Sequence, residues 1–137
     1  MTFAWSPALA TGCADIDNQH KLLFSVMNDL FDACQSGRER QEVERTIGFL
    51  EIYTANHFAD EESLQEKYEY PEYVTHKHLH TEFKGIVQRL ATGMSKDGPT
   101  VEFIRELCVT ASEWLFNHIK DEDLRMAAYI QGKAQTA

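Results

Sequence analysis

His57 precedes Glu61 by four positions, and His76 precedes His80 by four. On an α-helix four residues advance about 400°, so each pair lies on one face, one turn apart. Imidazole and carboxylate side chains placed in this way can reach one metal ion or two adjacent ones. His118 and Asp123 are five positions apart, which on an α-helix leaves them roughly 140° out of line. The Asp123 carboxylate becomes useful only if it reaches sideways to a second ion. His20 is the remaining histidine of interest. His78, between His76 and His80, points away from their shared face and reads as solvent-exposed.

These side chains need helices to hold them, and the apolar pattern supplies four. Ile16, His20, Leu23, Met27, Leu30 and Cys34 recur in steps of three and four. So do Val43, Ile47, Leu50, Thr54, His57, Glu61 and Leu64 in a second segment. The third carries Tyr73, His76, His80, Phe83, Val87, Leu90 and Met94. The fourth carries Val101, Ile104, Cys108, Ala111, Leu115 and His118, after which the pattern slips by one residue. Such spacing is the seam of a helix packed against other helices. Break signals at Ser36-Gly37, Tyr70-Pro71 and Lys96-Asp97-Gly98-Pro99 separate the segments. Pro71 fits the first turn of the third helix, and Asp97 or Thr100 could cap the fourth.

The expected fold is all-α, an antiparallel up-down-up-down four-helix bundle in one domain spanning 1–137. A non-helical N-terminal arm is expected over about 1–15, and a short frayed tail after about 130.

His20, His57, Glu61, His76, His80 and His118 all occupy seam positions. Burying a histidine costs free energy unless its ring nitrogens are paired, and an unpaired carboxylate costs more. One buried histidine is most often a hydrogen-bonded core residue. Five of them, on four seams, would each need a buried partner, and few other polar residues share those seams. Glu62, Asp121 and Glu122 read as solvated helix surface, and Cys34 and Cys108 as small core residues. Cys13 lies before the first helix with nothing to mark it as a nucleophile.

Composition excludes several partners. The 137 residues carry 13 Lys+Arg against 22 Asp+Glu, a formal net charge of −9, which repels nucleic-acid phosphates and anionic lipid headgroups. No run approaches the ~20 apolar residues of a membrane span, and no secretory leader is evident. Three cysteines without a Cys-x-x-Cys pair argue against a disulfide framework and for the cytoplasm.

Four motifs in order carry a family resemblance. Asp17-Asn18-Gln19-His20, His57-Phe58-x-x-Glu61-Glu62, Tyr70-Pro71 leading to His76-x-x-x-His80, and Trp114-Leu115-x-x-His118-Ile119-x-x-x-Asp123 together resemble hemerythrin, most nearly the stand-alone bacterial hemerythrins. The resemblance runs from about Trp5 to Asp123 and implies a four-helix bundle of the up-down kind.

It also implies a non-haem di-iron centre with an oxo or hydroxo bridge. His76, His80 and His118 would bind one iron, His20 and His57 the other, and Glu61 and Asp123 would bridge them. Five histidines, two bridging carboxylates and the single-atom bridge leave one coordination position open, on the iron with two histidines. The implied function is reversible O2 binding there, for storage or delivery to oxygen-consuming enzymes, without catalytic turnover. Leu23, Phe58, Trp114, Leu115 and Ile119 would line the O2 pocket.

Rival readings are an O2 or redox sensor acting through a separate signalling partner, and a di-iron protein handling peroxide or nitric oxide. Carboxylate-rich di-iron enzymes use Glu-x-x-His pairs, and the sequence has none. Five histidines with two carboxylates also exceed what a four-coordinate zinc site takes.

Overall fold

The computed structural model describes residues 4–36, 40–95 and 101–136. Four helices form the bundle: α1 (Ala14–Gln35), α2 (Arg40–Lys67), α3 (Tyr73–Ser95) and α4 (Val101–His118). Each packs on its sequence neighbours, and α4 closes the ring against α1. A π-helical turn, Ile119–Asp123, joins α4 to α5 (Leu124–Thr136). The backbone stays right-handed helical at both junctions, with φ/ψ of −63/−45 at His118 and −66/−37 at Leu124. No described helix is long and apolar enough to cross a membrane.

The seams pack as their spacing predicts. Ile16, Leu23, Met27 and Leu30 of α1, Ile47 and Leu50 of α2, Phe83 and Leu90 of α3, and Ile104 and Leu115 of α4 are almost wholly buried. Cys34 and Cys108 are buried among them. On α2 the seam shifts near its end, so that Gln65 is buried and Leu64 only half-buried.

Three local expectations are corrected. The N-terminal arm ends about where expected, with α1 beginning at Ala14, but it is not wholly non-helical: a 3-10 turn occupies Pro7–Leu9. Gly12, at φ +86°, makes the turn between them. A Cβ there would collide with the Gln131 side chain, whose Nε2 donates to the Thr11 carbonyl at 2.7 Å. The expected C-terminal tail is helical to Thr136. Pro71 lies in the turn before α3, not within its first turn. α2 ends when Tyr70 N–H donates to the Gln65 carbonyl at 2.8 Å and Glu69 N–H to Glu66 at 3.2 Å. Glu69 is left-handed at φ 54°. This is a Schellman closure, after which proline commonly follows. The breaks at Gly37 and Lys96–Pro99 and the caps Asp97 and Thr100 lie outside the described residues, as do the side chains of Met94 and Val101.

Antiparallel order has one further effect. It sets the first turns of α1 and α3 beside the last turns of α2 and α4, so the polar seam positions meet at one end of the bundle.

Candidate metal centre

His20, His57, Glu61, His76, His80, His118 and Asp123 are all buried, none more than 5% exposed. α1 supplies His20, α2 supplies His57 and Glu61, and α3 supplies His76 and His80. α4 ends on His118, and Asp123 closes the π turn.

The two carboxylates divide their oxygens between two groups of imidazoles. Glu61 Oε1 stands 3.2 Å from His76 Nε2 and 3.1 Å from His80 Nε2. Its Oε2 stands 3.4 Å from His20 Nε2 and 3.0 Å from His57 Nε2. Asp123 Oδ1 lies 3.0 Å from His76 Nε2 and 3.2 Å from His118 Nε2, while Oδ2 lies 3.1 Å from His20 Nε2. Hence one set of ligand atoms comes from Glu61, His76, His80, His118 and Asp123, and a second from His20, His57, Glu61 and Asp123. Within each set the atoms lie within 4.8 Å of one another.

Asp123 reaches the second group through Oδ2 and also shares the first through Oδ1, and the backbone explains the sharing. In a π turn the hydrogen bonds run from residue i+5 to i, and Leu124 N–H bonds to the Ile119 carbonyl accordingly. The wider turn brings the residue five positions on back toward the face of the first. Asp123 therefore shares a face with His118 and also touches His20.

Protons alone do not satisfy this cluster. Both Asp123 oxygens are buried without a hydrogen-bond partner, despite three imidazoles near them. His118 Nε2 and His76 Nε2 face each other at 3.1 Å, where two ring nitrogens share at most one proton. Five inward nitrogens around two carboxylates fit cations at the centre, and the two shared carboxylates fit two ions side by side.

Electrostatics follow the same geometry. Burial lowers the pKa of His20 and His76, but the Asp123 and Glu61 carboxylates override it and raise each to about 9. Burial raises the acids, yet His57, His20 and His76 hold Glu61 well below the usual carboxylate range. Asp123 is pushed up by burial and by Glu61, and is brought well down by His118 and His20.

Aromatic side chains stack on the imidazoles of the centre. Phe58 stacks on His80 with centroids 3.8 Å apart and planes at 8°. Trp114, half-buried, stacks on His118 at 4.5 Å and on Phe83 at 4.8 Å. Leu23, Leu115 and Ile119 are buried in the continuous apolar core. His78 is exposed, as its register predicts.

The assignment of Glu62 to solvated surface is wrong. It accepts a hydrogen bond from His80 Nδ1 at 2.8 Å, with its side chain only 15% exposed. Gln19 plays the matching part for His57, whose Nδ1 donates to its Oε1 at 2.7 Å. A metal-binding histidine normally donates its outer N–H to such an acceptor. In the sequence Gln19 adjoins His20 and Glu62 adjoins Glu61, yet each serves a histidine of another helix, so adjacency did not reveal the pairing. Asp121 is exposed, and half-buried Glu122 pairs with Arg125.

The family model for the Hemerythrin HHE cation binding domain matches residues 11–130. The chain belongs to the hemerythrin family. Bacteriohemerythrin of Pseudomonas aeruginosa is 37% identical over 126 residues, covering 92% of this chain and 78% of that protein. Bacteriohemerythrin of Methylococcus capsulatus is 30% identical, covering 87% and 89%. Myohemerythrin of Theromyzon tessulatum is 26% identical, covering 90% and 89%. A crystal structure of wild-type hemerythrin superposes with a TM-score of 0.85 at 25% identity, over 95% of this chain and 98% of that one. A bundle of the hemerythrin type and a buried histidine–carboxylate cluster thus occur together in this chain.

Proposed function

We propose that this hemerythrin holds two iron ions and binds O2 reversibly, for storage or for delivery to oxygen-requiring enzymes. The observation that carries the reading is the division of Glu61 and Asp123 oxygens between a three-histidine and a two-histidine group. His76, His80 and His118 would hold one iron, His20 and His57 the other, with both carboxylates between them. Iron held by these residues would supply the electrons for O2 binding at the two-histidine position.

The protein's own part is to keep that position dry and free of acids. Leu23, Phe58, Leu115 and Ile119 are buried, and half-buried Trp114 packs against the same core. Among the described residues, the buried polar side chains besides the seven are Thr11, Thr54, Gln65 and Ser112. None is an acid that could drive O–O cleavage by proton delivery. Reversible binding is the reading that this apolar surround supports. Three unpaired cysteines, two of them buried, suit a reducing compartment such as the cytoplasm.

Iron content and the visible spectrum of the reduced protein, before and after air and again after O2 removal, test the reading. A charge-transfer band that appears with O2 and disappears on its removal supports a carrier. One-way oxidation would overturn reversible binding and favour a sensing role.

A further inference from the structure

His57 is oriented from the protein surface. Its Nδ1 donates to Gln19 Oε1 at 2.7 Å, and Gln19 Nε2 donates to Asp60 Oδ2 at 2.7 Å. Asp60 is exposed, and Gln19 half-buried. Both line a surface cleft of about 440 Å³ with His57, Leu22, Tyr53, Asn56 and Ala59.

The chemistry of this chain runs in one direction. A carboxylate only accepts, so the Gln19 NH2 must face Asp60. The Gln19 carbonyl oxygen is thereby turned to His57, and it too only accepts. In the neutral, metal-binding form of His57 the ring proton must then sit on Nδ1. The Nε2 lone pair is left facing inward, 3.0 Å from Glu61 Oε2. His20 and His76 lack this constraint, because their buried Nδ1 atoms have no hydrogen-bond partner. His80 is constrained by Glu62. Each imidazole group therefore contains a ring held by a side chain of another helix. The holder is a carboxylate on the three-histidine side and a neutral amide on the two-histidine side.

We propose that Asp60 and Gln19 form a tautomer lock on His57, which presents its Nε2 to the two-histidine metal position. The proposal rests on the two-iron reading above. Gln19 and Asp60 are positioning residues, since neither reaches the centre. Water from the adjoining cleft could replace Gln19, but water both donates and accepts, so it carries no directional information.

The test uses the whole iron-loaded chain with Gln19→Leu, Asp60→Asn, and Asp60→Asn combined with Gln19→Glu. Release to a ferrous chelator should become biphasic in Gln19→Leu, with one iron leaving about 10–100-fold faster than in the parent. Asp60→Asn, a change on the exposed surface, should give a smaller acceleration of the same phase, because an amide lets Gln19 turn either way. In the double variant the carboxylate introduced by Gln19→Glu accepts through both of its oxygens, so slow release should return. In the Mössbauer spectrum of the ⁵⁷Fe-loaded Gln19→Leu protein, one quadrupole doublet should move and the other stay. Parental release rates from both irons in Gln19→Leu and Asp60→Asn overturn the lock while leaving the two-iron reading intact. A parent protein that binds fewer than two irons overturns both.

Discussion

Asp123 lies five residues beyond His118, yet its Oδ1 stands 3.2 Å from His118 Nε2. An α-helix would have turned the two side chains apart; the π turn returns them to one face. Because Asp123 Oδ2 also stands 3.1 Å from His20, this turn ties α4 to α1 at the level of the centre.

Iron removal should destabilise the fold strongly. Without metal, five imidazoles and two carboxylates stay buried with incomplete partners, at a cost of several kcal/mol. Chemical denaturation should show a lower midpoint for the apoprotein than for protein carrying two irons. A native preparation with one zinc and no iron would contradict the assignment.

The register of α3 predicts opposite outcomes for near neighbours. His78→Ala should leave iron content and spectrum unchanged, since His78 is exposed. His76→Ala or His80→Ala should lose or disorder one iron. Iron analysis of the three variants checks this, and iron loss confined to the His78 variant would reverse the register.

Leu115 lies one turn before His118 and is fully buried, so its side chain leans toward the preceding turn. Leu115→Ala opens a cavity and costs about 2–5 kcal/mol of stability. It should keep both irons but autoxidise faster, because water and anions gain access. Stopped-flow spectra at full iron loading measure the rate, and a rate equal to the parent's would make Leu115 ordinary core.

Apoprotein stability should depend on pH in two directions. His20 and His76 rise from 6.5 to about 9 on folding, so their contribution is complete below pH 6.5 and is lost as pH climbs through 9. Glu61 and Asp123 are depressed, so theirs is complete above the ordinary carboxylate range, at about pH 4, and is lost on acidification below it. Thermal melts of the apoprotein should therefore peak between about pH 5 and 6.5. The iron-loaded protein should not share this acid optimum, because protons compete with metal for the imidazoles. A flat apoprotein profile from pH 5 to 10 would count against the buried charge pairing.

Much of this was legible from spacing. Three-and-four steps follow from the backbone repeat alone, and they selected His76 and His80 while excluding His78. The same arithmetic stopped at His118, because it assumes one kind of helix; the one-residue slip was visible, but its cause, a π turn, was not. Glu62 was misread for another reason. One position after Glu61 it leaves its own helix's seam, and only the position of α3 reveals that it faces His80. The roles of Gln19 and Asp60 were hidden similarly, since they depend on how α1 and α2 lie together. At Pro71 the residue type was informative but ambiguous between starting α3 and following the end of α2.

Counted in codons, the Ile119–Asp123 turn is one residue longer than an α-helical route to the same place. Deleting the exposed Asp121 would leave the carboxylate four positions after His118, the spacing already used by His57–Glu61 and His76–His80. The donors would still face one another across an ordinary helix. The same deletion at exposed Glu106 would swing His118 about 100° relative to the core residues before it and dismantle the centre. Tolerance of a lost residue is therefore concentrated at this turn, even though it carries one of the seven inward-facing groups.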